Sequence, residues 1–431
     1  MNNKTESILI FVYYSLGEVH WILPVCTYLR EHYKSIRILV VFNTYRSENI
    51  LGDNTYVGEL LADAVDKVYD LRDFAAQPYR FFLDLINLPA GELGVLSKLV
   101  RRVQNKITKC FFDKKNDDIA RQIMETENPD CLLRDTGGDV GLRKDLISIA
   151  RRKHIKIIIY PHGTDIHMEH AMEKTERDID GDYLLCPSSF MREYHSDVDS
   201  RIERVVVGNP RYDQWWIRYI RARWLERGYT PGWKVKGRYR VLFITRGPHS
   251  TYLSKDNFKY LITTTMQTIL SRDDAFVVIR PHPRQSEAQL KELLKMFDAN
   301  RWVIDKTDIF CISEDIDLVI SMWSSMILDA LSVGLPVIEY FRFKGSSLLW
   351  SKDQNNKPVT AYGKYGLVLR AESTQDLLRH MTEVREHRDR VVAEQKKNFR
   401  QLVSDSDSQA TLKTIDVITG KLQHTGPYRN A

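Results

Sequence analysis

Two loops in the second half of the chain carry residue types that grip a phosphate. Arg280-Pro281-His282-Pro283-Arg284 follows an apolar run. Its prolines stiffen the backbone, so the arginines and His282 meet a mono- or diphosphate oxyanion in one geometry. The alternative is a stiff loop with arginines facing solvent. Ser321-Met322-Trp323-Ser324-Ser325 lies one strand-helix unit later. Hydroxyls and free N–H groups at a helix start bind anions, although a serine there also serves as a plain N-cap. Thr245-Arg246-Gly247 is a weaker third candidate. Arg246, Arg280, His282, Pro283, Ser324 and Ser325 are therefore the expected donor-binding set.

The first half offers acid–base groups. Ser15-Leu16-Gly17-Glu18-Val19-His20 follows the first apolar run. Gly17 allows a tight turn, from which Glu18 projects as a base for an attacking hydroxyl; the alternative is a carboxylate that caps a helix. Tyr160-Pro161-His162-Gly163-Thr164-Asp165 places His162 at a strand end, as acid, base or phosphate donor. Asp135-Thr136-Gly137-Gly138-Asp139 is similarly placed. Gly17, Asp139 and Asp165 are the expected acceptor-side residues. His162, His167 and His170 share no helical face with an intervening carboxylate, so no metal is expected.

Each of these groups needs a strand to deliver it. β-rich runs at 8–14, 36–42, 131–134, 155–160, 183–186 and 204–207 alternate with helical stretches such as 22–32 and 144–153. A second series has strands at 240–245, 275–279, 318–320 and 336–340, with helices at 255–271, 286–297, 326–333 and 374–403. Such alternation implies an α/β protein with parallel sheets covered on both faces. The expected division is an acceptor domain over 1–210, a linker over 211–238, a donor domain over 239–403 and a polar, fraying tail over 404–431. Ligands in such sheets bind beyond the carboxyl ends of the strands.

Composition narrows the classes. The chain has 431 residues, 43% hydrophobic and 28% charged, which suits two globular domains. A net charge of +6 is too mild to suggest nucleic acid. Cys26, Cys110, Cys131, Cys186 and Cys311 form no Cys-x-x-Cys pair, which argues against structural zinc and fits a reducing cytoplasm. The first apolar run is too short for a signal peptide. Residues 95–115 combine Lys98, Arg101, Arg102, Lys106 and Lys109 with apolar residues at helical spacing. That pattern suits either a peripheral contact with an anionic membrane or an ordinary domain helix. P-loop, Gly-x-Gly-x-x-Gly and Gly-x-Ser-x-Gly signatures are absent.

The motifs resemble two groups of transferases of bacterial surface polysaccharide synthesis. Ser15-Leu16-Gly17-Glu18-Val19 with Leu23-Pro24 resembles the acceptor loop of lipid A Kdo transferases, whose glutamate is the general base. Val207-Gly208-Asn209-Pro210-Arg211-Tyr212-Asp213 resembles another segment of that family. Arg280-Pro281-His282-Pro283 and Ser324-Ser325 resemble the His-Pro and paired-serine motifs shared with bacterial sialyltransferases. His162-Gly163-Thr164, Arg280-x-His282-Pro283 and Ser324-Ser325 with Asp329 resemble the CDP-glycerol glycerophosphotransferases. Pro161 and Asp165 depart from that second pattern. The resemblance implies a GT-B fold, in which two Rossmann-like doubly wound domains face a central cleft. It also implies transfer from a cytidine-nucleotide-activated donor to a glycan or lipid-linked glycan hydroxyl, without cofactor or metal. Glu18 and His162 both stand as candidate bases. The rivals are a UDP-sugar 2-epimerase and a non-catalytic, membrane-associated assembly protein.

Overall fold

The computed structural model describes residues 6–13, 15–45, 47, 51, 55–75, 80, 115–161, 179–196, 198–228, 231–233, 238–249, 251–282, 285–344, 346, 350–404 and 409–420. The candidate residues His162, Asp165 and Pro283 lie outside them, as does almost all of 95–115. Among the described residues no helix is long and apolar enough to cross a membrane.

The chain folds into two parallel sheets. The first holds β1 (Ser7–Val12), β2 (Arg37–Phe42), β3 (Lys67–Tyr69), β4 (Cys131–Asp135), β5 (Lys156–Tyr160), β6 (Tyr183–Cys186) and β7 (Glu203–Val206), in the order 3-2-1-4-5-6-7. The second holds β8 (Tyr239–Ile244), β9 (Ala275–Arg280), β10 (Trp302–Ile304), β11 (Leu318–Ser321), β12 (Val337–Tyr340) and, after a short hairpin of β13 (Ser351–Lys352) and β14 (Pro358–Val359), β15 (Leu369–Ala371), in the order 10-9-8-11-12-15. The central strands, such as Ser-Ile-Leu-Ile-Phe-Val of β1, are buried along their length. Burial on both faces is why they read as unbroken aliphatic runs rather than alternating ones. The strand order of each sheet reverses once, between β1 and β4 and between β8 and β11. Crevices for ligands form at such reversals.

Helices cover both faces. They are α1 (Leu16–His32), α2 (Thr55–Ala64), α3 (Asn116–Thr126), α4 (Gly141–Arg152) and α5 (Ser189–Tyr194), then α6 (Gln214–Glu226), α7 (Lys255–Leu270), α8 (Glu287–Leu294), α9 (Ile309–Ile312), α10 (Met326–Ser332), α11 (Ala361–Lys364), α12 (Thr374–Leu402) and α13 (Ala410–Thr419). Side-chain caps start many of them: Ser15, Ser188, Ser254, Ser286 and Ser373 each accept an N–H from the first turn, satisfying a donor that the helix cannot.

Within the segment 211–238, α6 buries Trp216, Ile217 and Ile220 and touches both halves. The Tyr56 hydroxyl donates to Ile220 O at 3.0 Å on one side, and Arg221 Nε donates to Phe310 O at 2.7 Å on the other. The residues after 404 do not simply fray. There α13 buries Ala410, Thr411, Thr414, Ile415, Val417 and Ile418, and Lys156 Nζ donates to Ile418 O at 3.0 Å. The long α12 carries the chain back to the first domain, where Ser188 Oγ donates to Leu402 O at 2.9 Å. An amphipathic face in a polar segment reads as solvated until a partner surface is known.

Candidate active site

The donor-side loops are stitched together by one buried threonine. Thr245 N donates to Arg280 O at 3.0 Å, and Thr245 O accepts from His282 N at 3.2 Å. Its hydroxyl donates to Gln285 Oε1 at 2.7 Å. A Cβ on Gly247 would stand 3.3–3.4 Å from Gln285 atoms, so glycine there lets the two loops close up. The loops after β8 and β9 thus form one unit that carries Arg246 beside His282.

Arg246 bridges this unit to the loop after β11. Its Nε donates to the Tyr252 hydroxyl at 2.9 Å and its Nη1 to Trp323 O at 2.7 Å. The guanidinium lies over the Tyr252 and Trp323 rings, 4.6 and 4.8 Å from their centroids. Trp323 takes φ +57°, a left-handed conformation that costs a bulky residue about 1–2 kcal/mol. Packing offsets that cost: the ring is buried against Tyr252, Phe341 and Trp350. The turn separates the two serines by role. Ser324 is buried, and its Oγ accepts from Met326 N at 3.3 Å. Ser325 is exposed and its hydroxyl caps nothing, leaving it open to a ligand.

Arg280 closes β9 and is bonded to neighbouring segments. It donates to Thr307 O and, through Nε, to Met326 Sδ at 3.2 Å. Burial pulls its guanidinium below the usual arginine range, with Asp308, Asp329 and Asp305 opposing. Its bonds brace the start of α10 against the loop after β10.

His20 lies near the start of α1. Its Nε2 is buried, with no hydrogen-bond partner among the described residues. Burial first, then the charges of Arg211 and Arg280, hold it well below the usual histidine range, so it is neutral at pH 7. Arg211 follows β7 and pairs with Asp329 of α10, Nε to Oδ1 at 2.8 Å. Burial, the largest single influence, would lower Arg211, but Asp329 and Asp308 together outweigh it and the net direction is up. His20 and Arg211 fall inside the segments 15–20 and 207–213 but carry no assigned role in the sequence reading, since nothing local distinguishes a residue that matters only across a domain boundary.

On the acceptor side the turn at residues 13–18 is corrected. Gly17 does not form a tight turn, because α1 begins at Leu16 and Gly17 lies within its first turn. Ser15 makes the turn and caps the helix. Glu18 is buried, and its carboxylate accepts from Tyr13 N at 2.6 Å and Ser15 N at 3.1 Å. This is a reciprocal capping box, so both oxygens already serve the backbone.

The loop 135–139 is held from within by two buried arginines that the sequence reading overlooked. Arg134 donates to Gly137 O at 2.7 Å and Asp180 O at 3.0 Å, and pairs with Asp139 at 2.6 Å. Burial pulls Arg134 down to about 10, with Asp139 opposing. Asp139 Oδ2 also accepts from Asp180 N at 3.0 Å, so this carboxylate positions the loop. Arg143 pairs with Asp135 and lies over the Tyr13 ring. An arginine inside the apolar run Cys131–Asp135 was the available signal, because a buried guanidinium requires partners.

No protein-family model matches the chain, and no curated protein matches its sequence. Solved structures match it in fold. The UDP-GlcNAc 2-epimerase of Neisseria meningitidis, bound to UDP-GlcNAc, has a TM-score of 0.58 at 12% identity over 96% of this chain and 99% of that one. The UDP-GlcNAc 2-epimerase of Methanocaldococcus jannaschii has 0.58 at 13%, over 96% and 99%. The glycotransferase of kitacinnamycin has 0.54 at 13%, over 97% and 99%. The chain has the GT-B fold of these enzymes, with two Rossmann-like parallel-sheet domains.

Proposed function

We propose that the chain transfers a glycosyl or polyol-phosphate group from a nucleotide-activated donor to a hydroxyl of a glycan or lipid-linked glycan. The observation that carries this reading is the stitching of the loops after β8, β9 and β11 at one strand reversal, with Arg246, His282 and Ser325 on them. In the reaction the acceptor oxygen bonds to the transferred group as the donor's bond to the nucleotide phosphate breaks. The leaving phosphate gains charge, and donors fixed beforehand around it stabilise that charge most. Arg246, rigid between two rings, and the open Ser325 hydroxyl suit that task; Arg280 supports them through α10. The capping bonds of Glu18 favour His162 as the group that takes the acceptor proton. The proposal calls on no cofactor and no metal. It retains a peripheral membrane contact through residues 95–115, where a lipid-linked acceptor would be met.

The sequence motifs favour a cytidine nucleotide, whereas a fold neighbour bound to UDP-GlcNAc favours a uridine one. That neighbour also supports a second reading, 2-epimerisation of a UDP-sugar. A thermal-shift screen against CMP, CDP, UMP, UDP and GDP identifies the nucleotide, since a ligand of the native state raises Tm. The matching nucleotide sugar is then incubated with and without a glycan acceptor. Nucleotide release that requires acceptor supports transfer. A new sugar formed from UDP-GlcNAc alone replaces transfer by epimerisation. Absence of nucleotide binding would sink both.

A further inference from the structure

A cavity of about 300 Å³ lies away from the strand-end loops, between α6, the end of α10 and the last turns of α12. Its lining is strongly basic. Arg218, Arg221, Lys396 and Arg400 all reach it. Arg221 is committed to Glu314, Ser313 and Phe310. The other three have no acidic partner among the described residues, and Arg218 donates only to Gln214 O of its own helix, at 3.2 Å. The one acid in the lining, Asp213, spends both oxygens on Ala410 N and Thr411 N, at 3.1 and 2.7 Å. Lys396 and Arg400 stand four residues apart on α12, a spacing at which like charges repel. Phe399 and neighbouring aliphatic residues supply an apolar wall.

Three converging cations without counter-charge, beside an aromatic wall, match a phosphate monoester with a small organic body. The place gives such a ligand leverage. Ser325 precedes the first residue of α10 and Ser332, its last, lines the cavity; seven residues of helix span about 10 Å. Between them Asp329 grips Arg211, and the residues that follow Arg211 line the cavity too.

We propose that this cavity is a second anion site that binds a small phosphorylated metabolite and, through α10, adjusts the donor loop. It holds whichever reaction the cleft performs. The test is isothermal titration of the full chain with phenyl phosphate, comparing wild type, Arg246→Ala and the double variant Lys396→Ala/Arg400→Ala. Both positions of the double variant are exposed on a helix, and its melting temperature checks that the fold is kept. Wild type and Arg246→Ala should bind alike, while the double variant binds at least about tenfold more weakly from the loss of two charge-assisted bonds. Lys396→Arg should retain binding. Equal binding by the double variant would overturn the proposal. Loss confined to Arg246→Ala would place the anion in the donor loops instead. No saturable binding by wild type up to about 10 mM would leave only a water-filled cavity, and the proposal would be abandoned.

Discussion

Arg211 and Asp329 form a two-pronged ion pair where the chain leaves the first domain, Nε to Oδ1 at 2.8 Å and Nη2 to Oδ2 at 3.0 Å. The pair ties the domain crossing to the helix that begins at the donor serines. Removing Asp329 leaves the buried Arg211 with only the longer contact to Asp308, at 3.8 Å, so the loss should approach the roughly 3–5 kcal/mol that a broken buried ion pair costs. Asp329→Ala should therefore lower the urea midpoint strongly, whereas Arg211→Met/Asp329→Leu should recover much of the loss. A double variant no better than the single one would show that the charges, rather than their pairing, matter.

Glu18 separates capping from catalysis. Glu18→Gln keeps one acceptor oxygen and loses the other, so it should cost about 1 kcal/mol of stability with turnover largely kept. A fall in kcat of about a hundredfold or more at unchanged Tm would instead make Glu18 the base.

The paired serines should respond oppositely. Ser324→Ala removes a helix cap and should lower stability by about 1 kcal/mol. Ser325→Ala should leave the melting temperature unchanged and weaken nucleotide binding by about tenfold. Calorimetric titration of both variants with the nucleotide that stabilises wild type reads the difference.

His20 gives acid sensitivity of defined sign. Its folded-state pKa lies well below the ordinary histidine value of 6.5. Below pH 6.5 the unfolded chain binds the proton more readily, so stability present above that pH is lost as pH falls. His20→Gln should flatten the decline in denaturant midpoint between pH 6.5 and pH 5. An unchanged slope would mean that His20 charges in place.

Glu339 acts in the other direction. Burial pushes its carboxyl from 4.5 up to about 8, with the Thr360 hydroxyl opposing. Between those values the folded state holds the extra proton, so stability falls as pH rises from 4.5 to 8. Glu339→Gln keeps the neutral shape and should remove that slope, which amounts to a few kcal/mol across the window. Parallel melting curves at pH 5 and pH 8 for the two proteins measure it.

The strands and their loops were legible in sequence because buried parallel strands are aliphatic on both faces and end abruptly in glycine, proline and serine. That places Thr245-Arg246-Gly247, Arg280–Pro283 and Ser324-Ser325 at strand ends with no knowledge of tertiary contacts. The start of α1 was misread by six residues, because Gly17 beside a strand resembles a turn and the capping bonds of Glu18 are not visible in composition. The burial of α13 was also missed, since a short amphipathic stretch in a polar segment gives no hint of the α1 surface that covers it.

Residue type and local spacing determined two α/β units with anion-competent loops at their strand ends, since those properties depend on neighbours within a few residues. Which side chains stay open was decided only by the tertiary structure. Arg280 is drawn into a brace, Ser324 into a cap and Asp139 into an ion pair, while Ser325 stays exposed and Arg246 is clamped between rings. Apart from the Ser324 cap, whose partner Met326 is two residues on, these outcomes depend on partners roughly 5 to 80 residues away in sequence, and a buried polar group takes whichever partner the fold brings within hydrogen-bond distance.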